Sequence, residues 1–265
     1  MLAGGGIPSV ASYDLQDRIA GFARVCSYDR AGLGWSDPAL EPMSLTDQTT
    51  DLDRLLDGGG VNGPVVLAPE SFGALIALDY AERRPGRVAG IVFIDGSEPA
   101  TWFETIKTAG NWQSRLQEHA MGVGWRLGLV RLALPYMEPR WVDALPSPIR
   151  GEFRAVFGRP NPGWGDALDA FDRTPVSERP SSAPGSLQAI PVTIIRHGAA
   201  ASGLGGSFET VWPLAQARLA KLTTSRATIF VAGAAGHEIA QEQPGFVADV
   251  IRGAIEAATA RTDGG

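Results

Sequence analysis

Apolar residues along the chain fall into runs of two kinds. Val65–Leu67, Val88–Ile94 and Ile190–Ile195 are short, continuous and rich in β-branched residues, the pattern of strands buried on both faces. Ala23–Tyr28 and Ala227–Val231 read as two further strands. Between these blocks the apolar residues recur at helical spacing. Leu45, Leu52, Leu55 and Leu56 form one stripe, opened by a Ser44/Asp47 capping box and stopped at Gly58-Gly59-Gly60. Phe72–Leu78 predicts a helix closing at Arg84-Pro85, and Glu209–Leu222 another. Val247, Val250, Ile251, Ala254 and Ile255 line the last helix, and Tyr13–Ala20 is a short one near the start. Strands alternating with helices predict an α/β architecture, a mostly parallel sheet with helices on both faces.

The pattern changes between Ser97 and Leu187. Five of the seven tryptophans fall here (Trp102, Trp112, Trp125, Trp141 and Trp164), among prolines that punctuate short helices. The stretch predicts a helical cap, residues 97–187, inserted into a core made of residues 1–96 and 188–265. Most of its tryptophans would pack, and a few would line an apolar pocket. Arg159–Gly185, rich in Pro, Gly and Ser, reads as a return linker.

Composition narrows the classes. The chain has 265 residues, 44% of them hydrophobic and 20% charged, ordinary values for a globular protein with a sizeable core. A net charge of −6 without a basic cluster argues against nucleic acid or an anionic membrane as the main partner. The start has no signal-peptide pattern, and the nearest approach to a membrane span, Met121–Leu134, is broken by Arg126 and Arg131. A cytoplasmic location is expected. Single Cys26 excludes an internal disulfide, and its apolar run predicts a buried, inert thiol. No metal or nucleotide site is evident: Arg30-Ala31-Gly32-Leu33-Gly34 is too short and wrongly placed for a dinucleotide loop, so no cofactor is expected.

The candidate chemistry sits where Val65–Leu67 turns directly into the next helix. A serine at that turn, Ser71, has its hydroxyl held clear of the sheet at a helix amino end. A serine needs a base to remove its proton. Of the three histidines, His119 falls in the inserted segment and His197 ends a strand; both read as structural or surface residues. His237, on a glycine-flanked loop after the last strand, is the candidate base.

Pro69-Glu70-Ser71-Phe72-Gly73 resembles the Gly-x-Ser-x-Gly nucleophile elbow of the α/β-hydrolase superfamily, with its first glycine replaced. The loop from Asp29-Arg30 to Asp37-Pro38, Gly236-His237 and Gln243-Pro244 resemble that family in the same order. The resemblance implies Ser71 as nucleophile and His237 as base. For the third member it implies Asp95, at the end of a core strand, because the loop from Arg196 to Gly206 holds no carboxylate; Glu209 is the alternative acid, and an incomplete triad stays open. It implies oxyanion donors at the Phe72 amide and at Gly5 or Gly6, although a glycine-rich start can also be a flexible terminus. Serine at the elbow disfavours the carboxylate-nucleophile dehalogenases and epoxide hydrolases. The implied activity is hydrolysis of a small hydrophobic ester, lactone or related acyl substrate through an acyl-enzyme. The opposing reading is a non-catalytic binding module of the same fold, for which Pro69 speaks. A homodimer is left open. Relatives begin with further strands, of which Met1-Leu2-Ala3 is a remnant, so the chain is expected to be truncated unless Ala23–Tyr28 and Val65–Leu67 close up and pair.

Overall fold

The computed structural model describes residues 1–102, 120, 122–160, 169–198 and 205–263. Four parallel strands, β1 (Val65–Leu67), β2 (Val88–Ile94), β3 (Val192–His197) and β4 (Thr228–Ala232), lie side by side in chain order. The registers pair Leu67 with Ile91, Ile94 with Ile195 and Ile195 with Phe230. The first two strands and their boundaries are those expected.

β2 shows why its run has no polar alternation. Ile91 and Phe93 pack into one core with helices α2 (Leu45–Gly58) and α3 (Gly73–Arg83), while Val92 and Ile94 pack into another with α1 (Tyr13–Ala20) and the carboxyl-terminal helix. Both faces are covered, which is the condition for a continuous apolar strand. The expected capping box opens α2: the Asp47 amide donates to the Ser44 hydroxyl and the Ser44 amide donates to the Asp47 carboxylate.

The amino end departs from expectation. Ala23–Tyr28 forms no strand. A strand needs a ladder, and this segment meets the short stretch at Met1-Leu2 at one point. There the Met1 amino group donates to the Cys26 carbonyl at 2.6 Å, and Leu2 forms a single parallel bridge to Pro69. Beyond Leu2 the two flanks do not close up. An apolar cavity of about 520 Å³ separates them, lined by Val25, Tyr28, Leu52, Val65, Leu67 and Ile255 among others. The Tyr28 hydroxyl is buried with no hydrogen-bond partner among the described residues, and burial pushes its pKa up to about 12. Cys26 is exposed rather than buried, because it lies outside the sheet.

Between β2 and β3 lie α4 (Val130–Met137) and α5 (Ser147–Phe157). Phe153 of α5 packs with Trp141, Val142, Leu145 and Ala11, joining this segment to the chain just after the glycine-rich start. Trp102 is buried against Phe72, ring centroids 5.4 Å apart. His119, Trp112 and Trp164 lie outside the described residues. After β3 come α6 (Gly205–Leu219), with Pro213 inside it, then β4, α7 (Ile239–Glu242) and α8 (Pro244–Asp263). No helix among the described residues is long and apolar enough to cross a membrane.

Candidate active site

Ser71 stands on the turn between β1 and α3 with φ +47°. A left-handed conformation is unfavourable for a residue with a side chain, and here it is held from both sides. The Ser71 amide donates to the Ile94 carbonyl at 3.2 Å, and the Ser71 carbonyl accepts from the amides of Ala74 and Ser97, each at 3.0 Å. Pro69 fits the first elbow position because only its carbonyl is used, accepting from the Ile94 amide at 2.8 Å. Gly73 is needed for close approach: a Cβ there would collide with the Leu2 carbonyl.

The end of β2 and the loop after β4 bring two further groups to this turn. His237 Nε2 lies 3.0 Å from Ser71 Oγ, and its Nδ1 lies 2.6 Å from Asp95 Oδ2. Asp95 is fully buried and is itself left-handed, φ +46°. Burial alone would raise its carboxyl, but hydrogen bonds from His197 and His237, and their charge, hold it below the usual carboxylate range. Phe208 and Trp212 set their rings nearly perpendicular to that of His237, at 5.3 and 5.2 Å.

Glu209 does not reach His237; its Oε2 lies 3.2 Å from Nε2 of His197. His197 is therefore no surface residue. It is buried, with Nδ1 2.7 Å from Asp95 Oδ2 and its backbone amide 3.2 Å from Asp95 Oδ1. The hydrogen bond to Asp95 raises its pKa above the ordinary histidine value. A signal for it lay in the sequence: Asp95 and His197 both stand at the carboxyl ends of apolar blocks, which become neighbours once β2 and β3 pair. Asp95, His197 and His237 bring one carboxylate oxygen and two ring nitrogens within 4.8 Å of one another. The ring-to-carboxylate separations of 2.6 and 2.7 Å are hydrogen-bond lengths.

Gly4, Gly5 and Gly6 are buried beside this site, with Gly6 at φ +69°. Buried Arg30 holds them: Nη1 donates to the Ala3 carbonyl and Nη2 to the Gly4 carbonyl, both at 2.7 Å. The loop carrying Arg30 is fixed by Asp29, whose carboxylate accepts from the amides of Ser9 (2.6 Å) and Trp35 (2.9 Å). Neither Arg30 nor Glu70 stood out in the sequence as a site residue. Glu70 precedes Ser71, is buried, and accepts from Gln241 Nε2 at 3.2 Å. Burial pushes its pKa up to about 7, against the opposing pull of that hydrogen bond.

The family model described as alpha/beta hydrolase fold matches residues 4–122. An uncharacterised protein of Schizosaccharomyces pombe is 32% identical over 119 residues, 45% of this chain and 22% of that protein. Lipase LipV of Mycobacterium tuberculosis is 37% identical over 71 residues, 27% of this chain and 26% of that one. These matches thus span about a quarter of the relatives' own length. Among solved structures, a thermophilic esterase from Thermogutta terrifontis superposes with a TM-score of 0.67 at 18% identity, covering 97% of this chain and 88% of that one. That likeness carries the fold alone, and the site must carry the chemistry.

Proposed function

We propose that this chain, which has the α/β-hydrolase fold, is a serine hydrolase acting on small hydrophobic esters, lactones or related acyl compounds through an acyl-enzyme. One observation carries the reading, the continuous hydrogen-bonded chain from Ser71 Oγ through His237 to the buried carboxylate of Asp95. Its lengths are those of a nucleophile, a general base and the group that orients and stabilises the imidazolium.

In this mechanism His237 Nε2 takes the Ser71 proton as Oγ attacks the substrate carbonyl carbon. The tetrahedral oxyanion is received by the Phe72 amide and an amide of Gly5 or Gly6, in a loop held by Arg30. Collapse breaks the bond to the alcohol, which leaves with the proton from His237. Water, deprotonated by the same ring, then cleaves the ester at Ser71 and restores the serine. The inserted segment 97–187, as far as it is described, is read as the cap over this centre. The rings of Phe208, Trp212 and Trp102 beside His237 and Phe72 favour an apolar acyl or alcohol group.

A panel of p-nitrophenyl esters of increasing acyl length, with a lactone beside them, tests the reading. Turnover by the wild type and a fall of about 10⁴-fold or more in folded Ser71→Ala is expected, the size of a triad deletion. Retention of a tenth of the activity in that variant would overturn the assignment.

A further inference from the structure

His197 is the group the mechanism above leaves unused. It is buried between two carboxylates, with Nδ1 2.7 Å from Asp95 Oδ2 and Nε2 3.2 Å from Glu209 Oε2. A neutral imidazole has one N–H; its other nitrogen would turn a lone pair toward a carboxylate oxygen. Only the imidazolium donates to both. We propose that His197 is a positioning residue held as a cation between Glu209 and Asp95, sharing the negative charge of Asp95 with His237, so that the base meets only part of that charge.

The charged groups facing His197 come from three elements. Asp95 follows β2, Glu209 lies on α6, and His237 lies on the loop after β4, its Nδ1 on the same Asp95 oxygen at 2.6 Å. Phe208 stacks on the His197 ring at 5.9 Å and 20°, a flat apolar cover that supplies no competing polar partner. The bond to Asp95 and the nearby Glu209 both raise the His197 pKa, against the lowering effect of burial. With His197 cationic, Asp95 faces one positive ring at rest and two when His237 takes the Ser71 proton. Without that cation the full charge of Asp95 bears on His237.

The inference rests on the hydrolase reading for its kinetic consequence but not for its chemical one, so two experiments separate them. In His197→Gln, the acid limb of kcat/KM should move to higher pH, with about a tenfold or greater loss at pH 6 and recovery to within a few-fold of wild type above pH 8. Glu209→Gln should move it the same way by less, since an amide can donate to a neutral His197; that variant also answers if His197→Gln fails to fold. Nitrogen-15 NMR of inactive Ser71→Ala reads the ring directly, and with three histidines in the chain the assignment is short. Both His197 nitrogens should carry protons at pH 7. A neutral His197 tautomer there, or acid limbs that stay in place in both variants, overturns the proposal. If the wild type hydrolyses no ester, the hydrolase reading falls, while the nitrogen signals still decide the state of His197.

Discussion

Asp95 receives His197 and His237 on the same carboxylate oxygen, at 2.7 and 2.6 Å. In the proposed mechanism the carboxylate that orients the base is thus shared, and Glu209 acts at one remove, through His197. Asp95→Asn should therefore lower ester turnover by about 10⁴-fold, because an amide can hold the ring but favours the wrong tautomer. Measured at pH 8, Glu209→Gln should cost less than about tenfold, since it leaves the ring of His237 and its partner in place. Comparable losses in the two variants would contradict this division.

Arg30 fixes the glycine loop by two charge-assisted bonds to the carbonyls of Ala3 and Gly4. Arg30→Ala would leave those carbonyls without this donor, at a cost of about 1–3 kcal/mol each where they stay buried. Turnover number should fall by about 10–100-fold, since a displaced oxyanion donor acts on the transition state more than on bound substrate. A change in KM with kcat intact would place Arg30 outside this role.

Glu70 links stability to pH. Its folded pKa, about 7, lies above the unfolded value of 4.5, so the folded state binds the proton more tightly. Stability from this group is complete below pH 4.5, declines as pH rises, and is lost above about pH 7. The full difference is about 3 kcal/mol. Denaturant midpoints at pH 5 and pH 8 should differ more in the wild type than in Glu70→Gln. Equal differences would show that Glu70 ionises as readily folded as unfolded.

The cavity beside β1 predicts a gain from filling it. Ala258 of α8 lines it and is nearly buried. Ala258→Leu should stabilise the protein by about 0.5–2 kcal/mol, read as a melting temperature higher by several degrees. A lower melting temperature would mean that the space is not open to this side chain.

What was legible in the sequence follows from how local each signal is. β1, β2, the elbow and α3 were legible because buried parallel strands are uninterrupted apolar runs and the turn between β1 and α3 is short. Ala23–Tyr28 has the composition of a strand, yet pairing depends on a neighbour, and no ladder stands beside it. The apolar run around Cys26 implies burial, but that run joins no sheet and the thiol is exposed. Sequence alone leaves His197 structural or surface, because its partners are 102 residues away at Asp95 and one helix on at Glu209. The proximity of Asp95 and His237, 142 residues apart, was recoverable only through the family resemblance.

The central claim is that Ser71 is a nucleophile activated by His237. A fluorophosphonate probe, followed by peptide mapping of the adduct, tests it without any knowledge of the substrate. One adduct is expected, on Ser71, forming at least about 10³-fold more slowly in His237→Ala. An adduct on another residue, or an equal labelling rate in the two proteins, would contradict it.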